Sequence, residues 1–177
     1  MKTDYRLLTS KDINLYRQIR LECLQKYPEY FGTIYEDEVK AKSLKFDKAL
    51  QTQDSNDFLY GAFQGNNLIS ICGFTREVRI KTSHLGEISH MYIKEEISGQ
   101  GIGTQLLKYT IDKAFTDISL EQIMLSVVNT NEKAIKIYER IGFIQYGILD
   151  NYFKRNEKYW TLIFMSLTRE NYFKSKL

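Results

Sequence analysis

The sequence predicts a single α/β domain: a mixed, mostly antiparallel sheet of about seven strands, flanked by about four helices. Three observations carry that expectation. Apolar residues recur at helical spacing behind Asp12, behind Gly101 and behind Asn131. Between those segments lie runs rich in β-branched and aromatic residues, punctuated by Gly, Asn and Ser. One such run, Met91-Tyr92-Ile93, passes through a glycine-rich bend directly into an amphipathic segment. The chain has 177 residues, 43% hydrophobic and 27% charged, which suits one domain with a substantial core. It shows no internal repeat, linker or low-complexity segment, so the domain spans 1–177.

Tyr5 to Leu8 alternate weakly and predict a first strand. Thr9-Ser10-Lys11-Asp12 reads as a capping box, a hydroxyl three residues before a carboxylate. Ile13, Tyr16, Ile19, Cys23 and Leu24 then predict a helix to Tyr27, ended by Pro28. A loop from Glu29 to Tyr35 leads into a predicted polar helix from Glu36 to Leu50, and Gln51 to Asp57 is a polar break. Phe58 to Gln64 and Leu68 to Arg79 read as a hairpin about an Asn66-Asn67 turn. Lys81-Thr82-Ser83 turns the chain into a strand from Glu87 to Ile93.

A helix follows from Gly101 to Thr116, carrying Leu106, Leu107, Ile111, Ala114 and Phe115 on one face. Ile123 to Val128 is continuously apolar, as in a strand buried on both faces. Asn129-Thr130-Asn131 supplies capping side chains for a helix with Ala134, Ile137, Tyr138 and Ile141 inward, stopped by Gly142. Phe143 to Leu149 and Tyr159 to Leu167 close the sheet as a pair around Arg155-Asn156-Glu157.

Composition excludes several classes. A net charge of +3, with acids and bases interleaved, argues against a nucleic-acid surface. No apolar run is long enough to span a bilayer, and Met1-Lys2-Thr3-Asp4 does not open a signal peptide, so no membrane partner and a cytoplasmic location are expected. Cys23 and Cys72 lack metal-ligand spacing and read as buried thiols in a reducing compartment; no metal is expected. Ser175-Lys176-Leu177 formally matches a peroxisomal address, yet abundant Lys, Ile and Asn with one Pro suggests a bacterial chain and a coincidence. Monomer and homodimer both stay open.

The stretch from Met91 to Leu107 organises the rest. Gly99, Gly101 and Gly103 leave the backbone bare at alternate positions, and a helix begins among them. Bare backbone admits a close ligand, and a helix start adds unpaired N–H groups and a positive dipole end, which together suit a pyrophosphate. The dinucleotide pattern fails because Thr104 stands where its third glycine belongs, and no Walker lysine is present.

Ser98-Gly99-Gln100-Gly101-Ile102-Gly103 resembles the coenzyme A loop of the GNAT superfamily of N-acetyltransferases, Arg/Gln-x-x-Gly-x-Gly/Ala, with serine at the first position. Asn131 to Phe143 resembles that family's second signature, Asn-x-x-Ala-x-x-x-Tyr-Glu-x-x-Gly-Phe, at every defined position. The two together span roughly half the chain in the family's order. Pro28-Glu29-Tyr30-Phe31-Gly32 is similar to a segment of some small bacterial members. The resemblance implies a GNAT-type three-layer fold and acetyl-CoA as co-substrate. The implied reaction moves an acetyl group to a primary amine of a small molecule or peptide by direct attack in a ternary complex. A non-catalytic acyl-CoA-binding module of the same fold is the alternative, and it would show neither thioester hydrolysis nor transfer to any amine.

The resemblance also implies roles. Met91, Tyr92 and Ile93 would pair with the pantetheine arm, as an added strand does. Backbone N–H groups from Ser98 and Gly99 through Gln100, Gly101, Ile102 and Gly103 to Thr104 would hold the pyrophosphate. Asn131, Ala134 and Tyr138 would line the cofactor arm. A bulge near His90-Met91-Tyr92 would aim the Tyr92 N–H at the thioester oxygen, a donor worth typically ~3 kcal/mol. Tyr138, a phenol of pKa ~10, would protonate the leaving thiolate. An alkyl amine is only about one part in a thousand neutral at pH 7.4, a penalty of roughly 4 kcal/mol, so a base is needed. Glu87 and His90 are both candidates and neither is preferred. Acceptor binding is expected near Glu29, Tyr30 and Tyr35, where Glu36, Asp37 and Glu38 add negative charge for a cationic amine.

Overall fold

The computed structural model describes residues 2–53, 55–116 and 120–174. Its centre is a sheet of β1 (Asp4–Leu7), β2 (Asp57–Gln64), β3 (Asn67–Arg76), β4 (Leu85–Ile93), β5 (Gln122–Val128), β6 (Ile144–Arg155) and β7 (Lys158–Thr168). The spatial order is β1-β2-β3-β4-β5-β7-β6. Among the described residues β4–β5 is the one parallel pair, and the others are antiparallel. The expected mixed α/β fold with seven strands is therefore present.

Helices cover both faces. α1 (Ile13–Lys26), α2 (Tyr35–Glu38) and α3 (Asp47–Thr52) lie on one side. α4 (Ile102–Thr116), α5 (Glu132–Ile141) and α6 (Arg169–Lys174) lie on the other. Strand side chains alternate between two cores, as the period of two requires. Leu59, Phe63, Ile71 and Tyr92 pack toward α1 and α3, whereas Phe58, Ala62, Cys72 and Phe74 pack toward α4. Cys72 is fully buried, which pushes its thiol pKa up to about 12, and Cys23 is raised to about 12 for the same reason.

Local chemistry sets the element ends. The capping box forms: the Thr9 N–H donates to Asp12 Oδ2 at 2.9 Å, leading through a short 3-10 turn into α1. The Arg6 guanidinium grips both Asp12 oxygens at 2.8 Å. Asn131 caps α5 by accepting the Ala134 N–H at 3.2 Å, and Gly142 ends it in the left-handed region at φ 109°. The β6–β7 hairpin turns on Asn156 and Glu157, both left-handed, as a tight two-residue turn requires.

Four expectations are corrected. The helix from Glu36 to Leu50 is two short pieces. Arg17 donates to the carbonyls of Glu38, Val39 and Ala41, closing α2, while Leu44 and Phe46, two apart, both enter the core, which one helical face cannot achieve. The β2–β3 turn is Gly65-Asn66, one residue earlier, with Gly65 at φ +58°. β3 ends at Arg76, beyond which Val78 lies in open solvent and has nothing to pack on. β6 runs to Arg155 instead of Leu149, and a helix after β7, α6, is anchored by buried Tyr172 on Phe115. Ser175-Lys176-Leu177 and Asp54 lie outside the described residues.

The Asp12 pair gives a pH dependence. Hydrogen bonds from Arg6, then from Thr9, outweigh burial and hold the carboxyl below its ordinary value. Its stabilisation is present above the unfolded pKa of about 3.9 and is lost as pH falls through the lower folded value. Urea unfolding between pH 6 and pH 3 is expected to show a shallower loss of stability in Asp12→Asn than in the parent chain.

Candidate active site

β4 and β5 pair only from Leu85↔Gln122 to Glu87↔Met124 and then part. β5 continues along β7 to Val128, and β4 continues along β3 to Ile93. On β4, Ser89 faces Gly73 and Tyr92 faces Ile71, so His90 and Met91 both stand opposite Cys72. This two-against-one bulge holds His90 at φ +56° and bends the strand away from its parallel neighbour. A wedge thereby opens through the sheet.

Two cavities meet in the wedge. The larger, about 400 Å³, runs along Met91-Tyr92-Ile93 to Ser98 on one side and the start of α5 on the other. The second, about 200 Å³, opens toward α1 and includes Gly32, Thr33, Glu87, Ser89, Phe153 and Leu162. Tyr30, Phe31, Met91, Asn131, Ala134 and Tyr138 line both. One cleft with two mouths is the result.

The glycine loop begins at Ser98 on the edge of the larger cavity, and Gly99 to Thr104 lie beyond its lining. Gly99 (φ +85°) and Gly101 (φ +77°) are left-handed, and a Cβ at either would meet no atom within 4 Å. Their bareness is not required by packing inside the chain, and it fits a ligand held against the backbone. The first bond of α4 runs from the Gln105 N–H to the Gly101 carbonyl at 3.0 Å. The amides of Ile102, Gly103 and Thr104 thus have no intrahelical acceptor. Gly103 serves a different purpose: a Cβ there would lie 2.0 Å from Ile93 Cδ1 and 3.1 Å from Met91 Cε, so glycine lets α4 sit directly on β4. Ile102 is buried in the α4-side core.

Residues 17–143 match the family model described as the acetyltransferase (GNAT) family. The chain belongs to the GNAT family of acetyltransferases. It is 30% identical to spermidine N(1)-acetyltransferase of Escherichia coli over 143 residues, 81% of this chain and 74% of that one. It is also 30% identical over 97 residues to N-alpha-acetyltransferase 30 of Schizosaccharomyces pombe, covering 55% of this chain and 64% of that one. A GNAT-family acetyltransferase from Streptococcus pneumoniae superposes with a TM-score of 0.84 at 19% identity, covering 94% of this chain and 99% of that one. A putative acetyltransferase from Salmonella typhimurium, solved with acetyl-CoA, gives a TM-score of 0.78 at 14% identity, covering 95% and 94%. These structures share the fold. No helix among the described residues is long and apolar enough to cross a membrane.

In this GNAT chain Tyr138 is buried at the junction of the two mouths, edge-on to Phe143 with ring centroids 5.8 Å apart. Burial, then the neighbouring Cys72 thiol, raises its phenol pKa, which keeps it protonated. Asn131 spends its carbonyl oxygen on the α5 cap, leaving its amide N–H₂ end for the cleft. Tyr92 points its ring into the α1-side core and donates from its hydroxyl to Glu22 at 2.9 Å. Lys94 reaches the same carboxylate at 3.0 Å and Lys26 at 3.4 Å. Glu22 thus ties α1 to the outgoing end of β4, a role invisible in a helical glutamate read alone.

The base candidates separate. Glu87 is exposed on the wall of the smaller cavity. His90 packs its ring on Phe46 at 5.0 Å and Tyr16 at 6.3 Å, and its Nε2 is buried without a partner. Burial, then Arg20 and Lys45, pulls its pKa well below the ordinary histidine value, so the ring is neutral at pH 7.

The acceptor residues scatter. Tyr30 lines both cavities and stacks on Tyr27, while Glu29 lies beside a neighbouring recess with Tyr152 and Trp160. Tyr35 packs against the α1-side core and lines neither mouth. Glu38 is bound by buried Arg20 at 2.8 Å and 3.0 Å, and Glu36 meets Arg155 at 3.2 Å. Of the expected acidic cluster, Glu38 is thus committed inside the protein, while Glu36 and Asp37 stay exposed on the surface. Phe31 is the residue whose importance was least legible: it lines both mouths under the Arg20 guanidinium, 5.1 Å from its ring centre.

The two kinds of glycine predict two kinds of defect. Gly103→Val is expected to cost about 1–3 kcal/mol in urea unfolding, because Ile93 must move aside. Gly101→Val is expected to remove coenzyme A binding by calorimetry while the chain remains folded by circular dichroism. An unchanged affinity would show that the loop does not hold the nucleotide.

Proposed function

We propose that the chain is an acetyl-CoA-dependent N-acetyltransferase acting on a primary alkyl amine by direct attack within a ternary complex. The observation that carries this reading is the two-mouthed cleft, whose arms meet at Met91 and Tyr138. A cofactor and an acceptor can approach from opposite sides without competing for space. When bound, acetyl-CoA supplies the activated acetyl group as a thioester.

The chain's own groups then have four tasks. The bare amides from Gly99 to Thr104 hold the diphosphate, using main-chain donors and the α4 dipole. The acyl oxygen takes a β4 main-chain N–H that faces the wedge beside the bulge. The Tyr92 N–H expected in that role is turned toward Ile71 of β3, because the Lys94 N–H donates to the Ile69 carbonyl and the ladder repeats every second residue, while the Glu22 bond to the Tyr92 hydroxyl holds this segment of β4 in place. Glu87 takes the proton from the incoming ammonium, directly or through one water, on the acceptor side of the wedge. His90 is a poor choice because its environment already disfavours the protonated ring. Tyr138, kept protonated by burial, delivers a proton to the departing sulfur.

The acceptor arm combines carboxylate and aromatic groups, Glu87 with Phe31 and Phe153. That combination favours a cationic amine through charge and ring-face contacts. The relatives named spermidine N(1)-acetyltransferase and N-alpha-acetyltransferase 30 suggest polyamines and α-amines as the acceptors to try first.

A panel containing spermidine, spermine, free amino acids and peptides with free N-termini, read by thiol release, tests the activity. Release with no amine in the panel would leave acyl-CoA binding without transfer as the better reading. Tyr138→Phe is expected to lower kcat by roughly 100-fold or more while coenzyme A affinity holds. Glu87→Gln is expected to slow turnover at neutral pH and to recover as pH rises toward the amine pKa of about 10.4, where solvent has already deprotonated the acceptor. A deficit that stays constant with pH would remove Glu87 as the base.

A further inference from the structure

A recess beside the cleft takes part in none of the steps above. It holds about 530 Å³ and lies between the loop after α1 and the β6–β7 hairpin. Ligand sites fall in the range of ~300–1,000 Å³. Phe31, Gly32 and Phe153 line both this recess and the acceptor arm. The Phe153 ring against Gly32 is therefore a wall common to the two.

The hairpin sets what chemistry the recess offers. Phe153 pairs with Trp160, and Arg155 pairs with Lys158 two residues farther out, so these four side chains share one face. All four line the recess, giving it an aromatic floor and a cationic rim. Lys154 borders it too, but its ammonium is drawn to Glu157 at 3.1 Å and to the Tyr159 ring, 5.2 Å away. Arg155 gives one N–H to Glu36 at 3.2 Å and has further donors. Lys158 is in no ion pair among the described residues, and Glu29, on the facing loop, is paired with neither cation. Like charges directly opposite on paired strands repel, so a carboxylate placed between Arg155 and Lys158 relieves the hairpin as well as satisfying its donors.

We propose that this recess receives the distal part of the acceptor and selects a peptide-like amine bearing a carboxylate about three residues from the reacting nitrogen. β7 gives the length. Leu162 lines the acceptor arm, Trp160 the recess floor and Lys158 its rim. Four residues of strand span ~13 Å, which the inward reach of the lysine shortens. An extended tripeptide covers ~10 Å. Its apolar side chain meets Trp160 and Phe153, and its carboxylate meets the two cations. A polyamine brings an ammonium to the same rim instead. The role of the bound amine rests on the acetyl-transfer reading, whereas the occupancy of the recess does not.

Trp160 is the only tryptophan of the chain, so its emission reports on the recess. With no cofactor present, the tripeptide glycyl-glycyl-phenylalanine is expected to change that emission saturably, and to bind roughly tenfold more tightly than its C-terminal amide. Glycyl-glycyl-glutamate amide against glycyl-glycyl-glutamine amide asks the same of a side-chain carboxylate. The same preference is expected in kcat/KM read by thiol release. Both preferences are expected to vanish in Arg155→Gln/Lys158→Gln, at two exposed positions. The comparison of acid with amide in the parent chain decides the matter even if that variant unfolds. Equal responses to acid and amide in both pairs, a preference that survives the double variant, a preference in turnover without a Trp160 response, or a higher kcat/KM for spermidine than for either acid would each overturn the proposal. If Trp160 favours the acid while no amine releases thiol, the acetyl-transfer reading fails and the recess stands. Thiol release without any such preference has the opposite meaning.

Discussion

The structure depends on the bulge at His90-Met91 and the early parting of β4 from β5. Three paired positions join the two strands, from Leu85↔Gln122 to Glu87↔Met124. Beyond them each strand follows its other neighbour, β3 on one side and β7 on the other. A sheet that stayed paired would be closed, with no passage between its faces. Because it divides, the side of β4 that faces β5 has no strand partner beyond Glu87 and looks into the cleft. Both cavities, the position of Tyr138 and the approach of the glycine loop follow from that division.

Several supports keep the division open. Glu22 holds the end of β4 through Tyr92 and Lys94, and Gly103 lets α4 press directly on Ile93 and Met91. Arg20, buried in α1, is matched by Glu38 and lies over Phe31, so the charged pair forms a wall of the acceptor side. Such a pair owes its tolerance to complete pairing, since either ion alone in that position would be costly. Across the cleft, the Phe153 ring lies 3.0 Å from where a Cβ on Gly32 would stand, so glycine lets the β6–β7 hairpin close on the loop after α1 without moving that ring.

Much of this was legible in the chain because its causes are local. The bends at Gly99, Gly101 and Gly142 need positive φ, and Asn131 and Thr9 cap their helices with their own side chains. Such demands are written in the residue itself. What was not legible comes from distant partners. Arg17 closes α2 from a different helix, and Arg20 takes up Glu38, removing a carboxylate that the sequence offers to a ligand. The length of β6 is likewise fixed by β7, and the neutral state of His90 by the ring and guanidinium neighbours that fold around it.

The strand order has a consequence for synthesis of the chain. β7 lies between β5 and β6, yet it is translated after both. As the polypeptide leaves the ribosome, the apolar run Ile144–Leu149 therefore emerges before the only element it pairs with in the sheet described here. The tight Asn156-Glu157 turn brings β7 back within a few residues, which shortens that interval. The order of manufacture thus leaves the greasiest edge of the molecule waiting on a hairpin, and places its greatest risk of clumping late in translation.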